Sequence, residues 1–244
     1  MAQIIKKNLN LEEEYEEQKS KFKTSLFICI GCFIGFLPLS ALSLGILAIP
    51  IMLGFLISGV YAAIFHKKYS ILESGVFGED ELSDIIKRLP DEYYGFQNTS
   101  VCFEGKKSEL DMIVVGPTGV FVIENKNMNG HIVGDAENSH WIQHKIGRQG
   151  GEYSKEFYSP VKQVGTHVYR LAKNMRNNGF NTYVNAAVYF SNPEATVSIS
   201  GEQKTPVFSC SNDETDGLLA YIQNRQAVLS VSDINKLCAF INKL

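Results

Sequence analysis

Four charged side chains between residues 109 and 126 have the types and spacing to do chemistry: Glu109, Asp111, Glu124 and Lys126. Between them run two apolar, strand-like stretches, 112–115 and 120–123, flanking Pro117-Thr118 with Gly116 and Gly119 beside them. If Pro117-Thr118 is a two-residue hairpin loop, pairing joins residues whose numbers sum to 235. Asp111 then stands opposite Glu124, and Glu109 opposite Lys126. Strand alternation gathers all four at one end of one face, which Ile113, Val115, Val120 and Val122 continue. Opposed Cβ atoms are about 5 Å apart, and two carboxylates there repel by about 3 kcal/mol at an effective dielectric near 20. A divalent cation removes that penalty and takes the oxygen ligands Mg²⁺ prefers. A lysine two residues along can orient a water or screen a phosphate. This is the minimum equipment for metal-assisted phosphodiester hydrolysis. The plainer reading is a surface hairpin with Glu109 and Lys126 merely paired. The apolar residues on the same face favour the rim of a cleft instead, and a one-residue change in loop length would break the register.

The elements around the hairpin follow from periodicity. Leu82, Ile85, Ile86 and Leu89 mark a helix from Gly78 to Leu89, stopped by Pro90. Glu79 shares its inward face, where a carboxylate is costly unless partnered; it is a candidate third metal ligand, or else a first-turn glutamate favoured by the helix dipole. Strands are expected over about 96–104, 109–115 and 119–126. Residues 127–158 are polar and Gly-rich and read as a long loop holding short pieces of structure, with Trp141 in it. Ser159-Pro160 starts a helix, as N-cap and first-turn proline, with an apolar stripe of Val161, Val164, Val168, Leu171 and Met175. Asn177-Asn178-Gly179 ends it. A central strand over 183–190, a short one over 205–210 and helices near 213–225 and 232–243 complete a mixed sheet flanked by helices, with helix and strand order α-β-β-β-α-β before the helical end.

Gly78-Glu79, Glu109-Leu-Asp111, the run Gly119 to Lys126, Gly130 with Ile132, Trp141, and Ser159 to Gln163 together resemble the nuclease-related domain (NERD), assigned to the PD-(D/E)xK nuclease superfamily. The resemblance covers about residues 75–195. It implies an α/β, restriction-endonuclease-like core and metal-dependent cleavage of nucleic acid, DNA ahead of RNA, with Mg²⁺ or Mn²⁺. Asp111 and Glu124 match the metal-binding acids and Lys126 the motif lysine; Glu79 and Gln163 match accessory positions. Asn125 stands where Thr is common, and Ser159 where Asn is common. The other implied possibility is a catalytically inactive binding or scaffold module on the same fold.

The whole 244-residue chain carries 23 Lys and Arg against 26 Asp and Glu, a formal charge of −3. A strongly basic nucleic-acid-binding surface is not what this composition describes. From Ser25 to Phe65 there are 41 residues without Asp, Glu, Lys, Arg or His. That is about two spans of roughly 20 residues, and it excludes a simple soluble protein. Helices are expected near 24–40 and 44–65, with a break over 38–43. Lys19, Lys21 and Lys23 precede the run, and Lys67 and Lys68 follow it, so both flanks should be cytoplasmic. The expected organisation is a cytoplasmic tail (1–24), a hairpin in the lipid bilayer (25–66) and a cytoplasmic domain (67–244).

Five cysteines, two of them a C-x-x-C at Cys29 and Cys32 inside the apolar run, read as packing residues rather than a disulfide framework or zinc site. His140 and His144 would share a face on a helix, but no H-E-x-x-H is present. Walker A, G-x-G-x-x-G and G-x-S-x-G sequences are absent, which disfavours P-loop and serine-hydrolase chemistry.

Overall fold

The computed structural model describes residues 1–7, 9–41, 45–147 and 150–244. It divides into two compact units, Leu9–Val76 and Met1–Asn8 with Phe77–Leu244. Strand β1 (Gln3–Lys6) comes first, then helices α1 (Asn10–Ala41) and α2 (Gly45–Lys87). There follow β2 (Tyr94–Phe103), β3 (Lys106–Gly116), β4 (Gly119–Lys126), β5 (Gly130–Asp135), β6 (His140–Ile146) and β7 (Glu152–Tyr158). Helix α3 (Pro160–Asn177), β8 (Val184–Phe190), β9 (Ala195–Ser200), β10 (Val207–Ser209), α4 (Thr215–Gln223) and α5 (Val231–Ile241) complete the chain.

In the first unit the two long helices pack as a pair. Phe33 meets Phe55 with ring centroids 5.8 Å apart, and Phe22 meets Tyr69 at 5.2 Å. A methyl on Gly54 would stand 3.2 Å from the Cys32 sulfur, so the C-x-x-C cysteines do fill interhelical space. Phe27, Ile34, Ile57 and Val60 point outward, more than half exposed. Both helices are long and apolar enough to cross a membrane. They exceed the expected spans, and Pro38 lies within α1; of the expected break, Leu42 and Ser43 lie outside the described residues.

The second unit is built on a six-stranded mixed sheet in the order β1-β2-β3-β4-β8-β10. Alternation divides its side chains between two cores. Ile113, Val115, Val120 and Val122 face α3 and α5, through Val164, Leu171, Leu237 and Ile241. Met112, Val114, Phe121 and Ile123 face the end of α2 and α4, through Leu82, Ile86, Leu89 and Leu218. The α-β-β-β-α-β core is therefore present as helix end of α2, β2, β3, β4, α3 and β8.

Three findings differ from expectation. Gly78-Glu79 does not start a helix but lies inside α2. Residues 3–6, expected in a solvated tail, pair in parallel with β2. Residues 127–158, expected as a loop, supply β5, β6 and β7, which join β9 in a second sheet ordered β7-β6-β5-β9. That sheet turns Ile132 and Trp141 into the α3-side core.

Candidate functional site

The β3–β4 hairpin closes as the turn chemistry requires. Gly116 pairs with Gly119, Val115 with Val120 and Met112 with Ile123, each pair summing to 235. Just beyond the ladder the backbone N–H of Asn125 donates to the Asp111 carboxylate at 2.8 Å instead. Asp111 and Glu124 thus meet at the C-terminal end of β4, on the face that α3 covers.

Glu124 is 1% exposed and both its oxygens meet basic side chains. Lys126 Nζ donates to Oε1 at 2.5 Å, and His167 Nδ1 stands 3.3 Å from Oε2. Burial works to raise the Glu124 pKa, but His167 and Lys126 outweigh it and hold the carboxyl below its usual range. Asp111 moves the other way. Loss of hydration and then the charge of Glu124 push it up to about 8, with Glu79 adding to the same effect. Glu79 itself accepts from Asn98 Nδ2 at 2.7 Å and, more distantly, from Gln97 Nε2 at 3.5 Å. Gly78 beside it lets α2 approach the sheet: a methyl there would stand 2.7 Å from Asn127 Cβ and 3.0 Å from Ser191 Oγ.

The structure therefore brings Asp111, Glu124 and Lys126 together, with Glu79 near enough for its charge to act on Asp111. Gln163 lies in the first turn of α3, one turn before His167; among the described residues its side chain makes no hydrogen bond or ion pair with the acids. Ser159 caps α3 as expected, its oxygen accepting from Lys162 N–H. Glu109 does not join the cluster: it pairs with Lys107 at 3.0 Å, at the surface. His140 and His144 lie on a strand, not a helix, and His144 pairs with His131 across β5 and β6.

The donor set suits a hard divalent cation. Asp111 and Glu124 offer carboxylate oxygens crowded into one buried place, where burial and the charge of Glu124 raise Asp111. Among the described residues no three His, Cys, Asp or Glu side chains are gathered as a ready metal cage. Two carboxylates suffice for Mg²⁺, which keeps waters and binds phosphate oxygens in its remaining positions.

Comparison with known proteins points to one family. Residues 74–191 match the nuclease-related domain family. This stretch is similar to a nuclease-related domain. The match spans the end of α2, all of the β3–β4 hairpin, α3 and β8, and so includes Glu79, Asp111, Glu124, Lys126, Gln163 and His167. An uncharacterized protein of Bacillus anthracis is 33% identical over 100 residues, 40% of this chain and 47% of the relative. The chain thus aligns with less than half of that relative's length. No solved structure matches.

Proposed function

We propose that the chain is a membrane-anchored, divalent-metal-dependent nuclease that hydrolyses phosphodiester bonds of nucleic acid, with DNA the preferred substrate. The observation that carries this reading is the Asp111–Glu124–Lys126 cluster at the end of β4 in a nuclease-related domain. Asp111 and Glu124 would hold Mg²⁺ or Mn²⁺, with Glu79 assisting. Such an ion supplies Lewis acidity and a water of lowered pKa. Lys126, poised beside Glu124, would position that water or screen the phosphate. His167 keeps Glu124 ionised and oriented, and Gln163, at the start of α3, would contact the backbone of the substrate. The helices α1 and α2 would place the domain at the cytoplasmic face, consistent with the flanking lysines.

A second reading, a binding module without turnover, is favoured by the charge after residue 65, 18 basic against 21 acidic groups. The full chain in detergent, incubated with labelled single- and double-stranded DNA and RNA in Mg²⁺, Mn²⁺ or EDTA, separates the two. Cleavage that needs metal and is lost in Asp111→Ala and Lys126→Ala supports the nuclease. Wild type that is folded, inert and unable to bind Mn²⁺ by calorimetry overturns it.

A further inference from the structure

At the opposite end of the central strands lies a cavity of about 420 Å³, between the start of β4, the start of β8 and the segment after α4. Gly119 to Lys126 is seven strand steps, about 23 Å, so this cavity is remote from the acids. Its walls are fixed. The N–H groups of Val228 and Leu229 both donate to Pro117 O, at 2.8 and 3.1 Å, lacing the segment after α4 onto the hairpin turn. Thr118 Oγ1 donates to Ile222 O at 2.7 Å.

Arg225 is the one charged residue among the described lining residues, and it is held in place. Its guanidinium lies over the Tyr221 ring at 4.5 Å and 5.8 Å from that of Phe121. Nε donates to Tyr221 O at 3.2 Å, and Nη1 to Asn185 Oδ1 at 2.7 Å. Asn185 is 6% exposed, and its Nδ2 is in turn committed to Val120 O at 3.1 Å. Buried Asn185 thus serves to aim Arg225, while Nη2 makes no hydrogen bond among the described residues. Nε and one Nη1 hydrogen are committed, which leaves the second Nη1 hydrogen and both on Nη2 to receive an oxyanion. The rest of the lining is uncharged. Tyr183 stands at the lip, 79% exposed, with Val228 beside it, and Asn181 and Gln226 offer amides. The volume is within the ordinary range of small-molecule sites, about 300–1,000 Å³.

From this geometry we infer that the cavity binds a nucleoside monophosphate, with the phosphate on Arg225 and the base stacked on Tyr183. This site is independent of the acidic cluster and does not rest on the nuclease reading. The test is calorimetry on the full chain in detergent with AMP and, separately, inorganic phosphate. AMP is expected to bind at least about tenfold more tightly than phosphate, Arg225→Gln to weaken both at least about tenfold, and Tyr183→Ala to bring AMP down to the level of phosphate. Asp111→Ala should leave AMP binding unchanged, and this arm distinguishes the cavity from the acidic site. Arg225→Lys, which keeps the charge but loses the fork, and Tyr183→Ala, on an exposed ring, decide the matter if Arg225→Gln does not fold. The inference is overturned if millimolar AMP does not bind. It is equally overturned if AMP binds no better than phosphate, if folded Arg225 variants bind it normally, or if Asp111→Ala abolishes binding.

Discussion

Asp111 and Glu124 sit side by side, yet their carboxyls respond in opposite directions. Glu124 has the cations; Asp111 has the burial and the neighbouring negative charge, which push it up to about 8. A carboxyl raised in the folded state binds its proton more tightly there than in the unfolded chain. Its stabilising contribution is therefore full below the unfolded value near 3.8 and is lost as pH rises toward 8. In EDTA the wild type should lose stability steadily between pH 5 and pH 8, by thermal unfolding in detergent. Asp111→Asn cannot ionise yet still accepts the Asn125 N–H, so its profile should be flat in that window. At pH 8 it should unfold later by at least ~1 kcal/mol, about 2–4 °C for a domain of this size. Parallel profiles for the two proteins would show that Asp111 is not the strained group. Both acids were legible from sequence, because taking Pro117-Thr118 as the turn fixes the pairing as far as Met112 with Ile123; beyond it the register lapses, and Glu109 pairs with Lys107 instead. His167 was not. The stripe Val164, Leu171 and Met175 reads as apolar, and position 167, three after Val164 and four before Leu171, falls on the same face. A titratable residue at an inward helical position, only 7% exposed in the fold, was the available signal.

At the scale of elements, the hairpin, α3, β8 and the closing helices follow from patterns that agree with their tertiary surroundings, whereas β5 to β7 do not. The β6 strand alternates properly, but with its polarity inverted in the middle. Gln143 points inward, 3% exposed, where its amide donates to Asn129 O at 2.7 Å, while Ile142 points out. An alternation of that kind cannot be seen in composition, and the surrounding glycines read as loop. One of those glycines has a packing role. A methyl on Gly134 would stand 2.3 Å from Trp141 Cδ2, so the indole lies flat on the β5 backbone. The ring is further held by its N–H donating to Asp135 O at 2.9 Å and by stacking on Phe190. Gly134→Ala should lever Trp141 out of this slot, at a cost of about 1–3 kcal/mol for overpacking. Trp141 is the only tryptophan in the chain, so its emission reports the displacement directly. A red shift with a lower Tm is expected, and an unchanged spectrum and Tm would refute the close packing of ring on glycine.

For the whole molecule, β1 decides the topology. It precedes the two apolar helices in the chain, yet it pairs with β2, which follows them, from Gln3 against Tyr94 to Lys6 against Gln97. The N-terminal strand and the nuclease-related domain are one sheet, so the apolar helices must leave and return on the same side of any membrane they cross. Any crossings would then come in an even number, and the lysines on both flanks predict the cytoplasmic side. Cysteine labelling tests this without added reporters. Cys102 is exposed on β2. Burial pushes the Cys238 thiol up to about 11 and raises that of Cys210, so neither supplies much thiolate at neutral pH. Cys29 and Cys32 lie within the apolar helix pair. A membrane-impermeant maleimide should therefore label Cys102 in inverted vesicles and spare it in intact cells, with Cys102→Ser as the control. Protease should remove an N-terminal tag under the same conditions as those that permit labelling. A tag cleaved on one side and Cys102 labelled on the other would contradict more than the orientation. It would mean that β1 cannot reach β2, and that the edge of the central sheet must be completed in some other way.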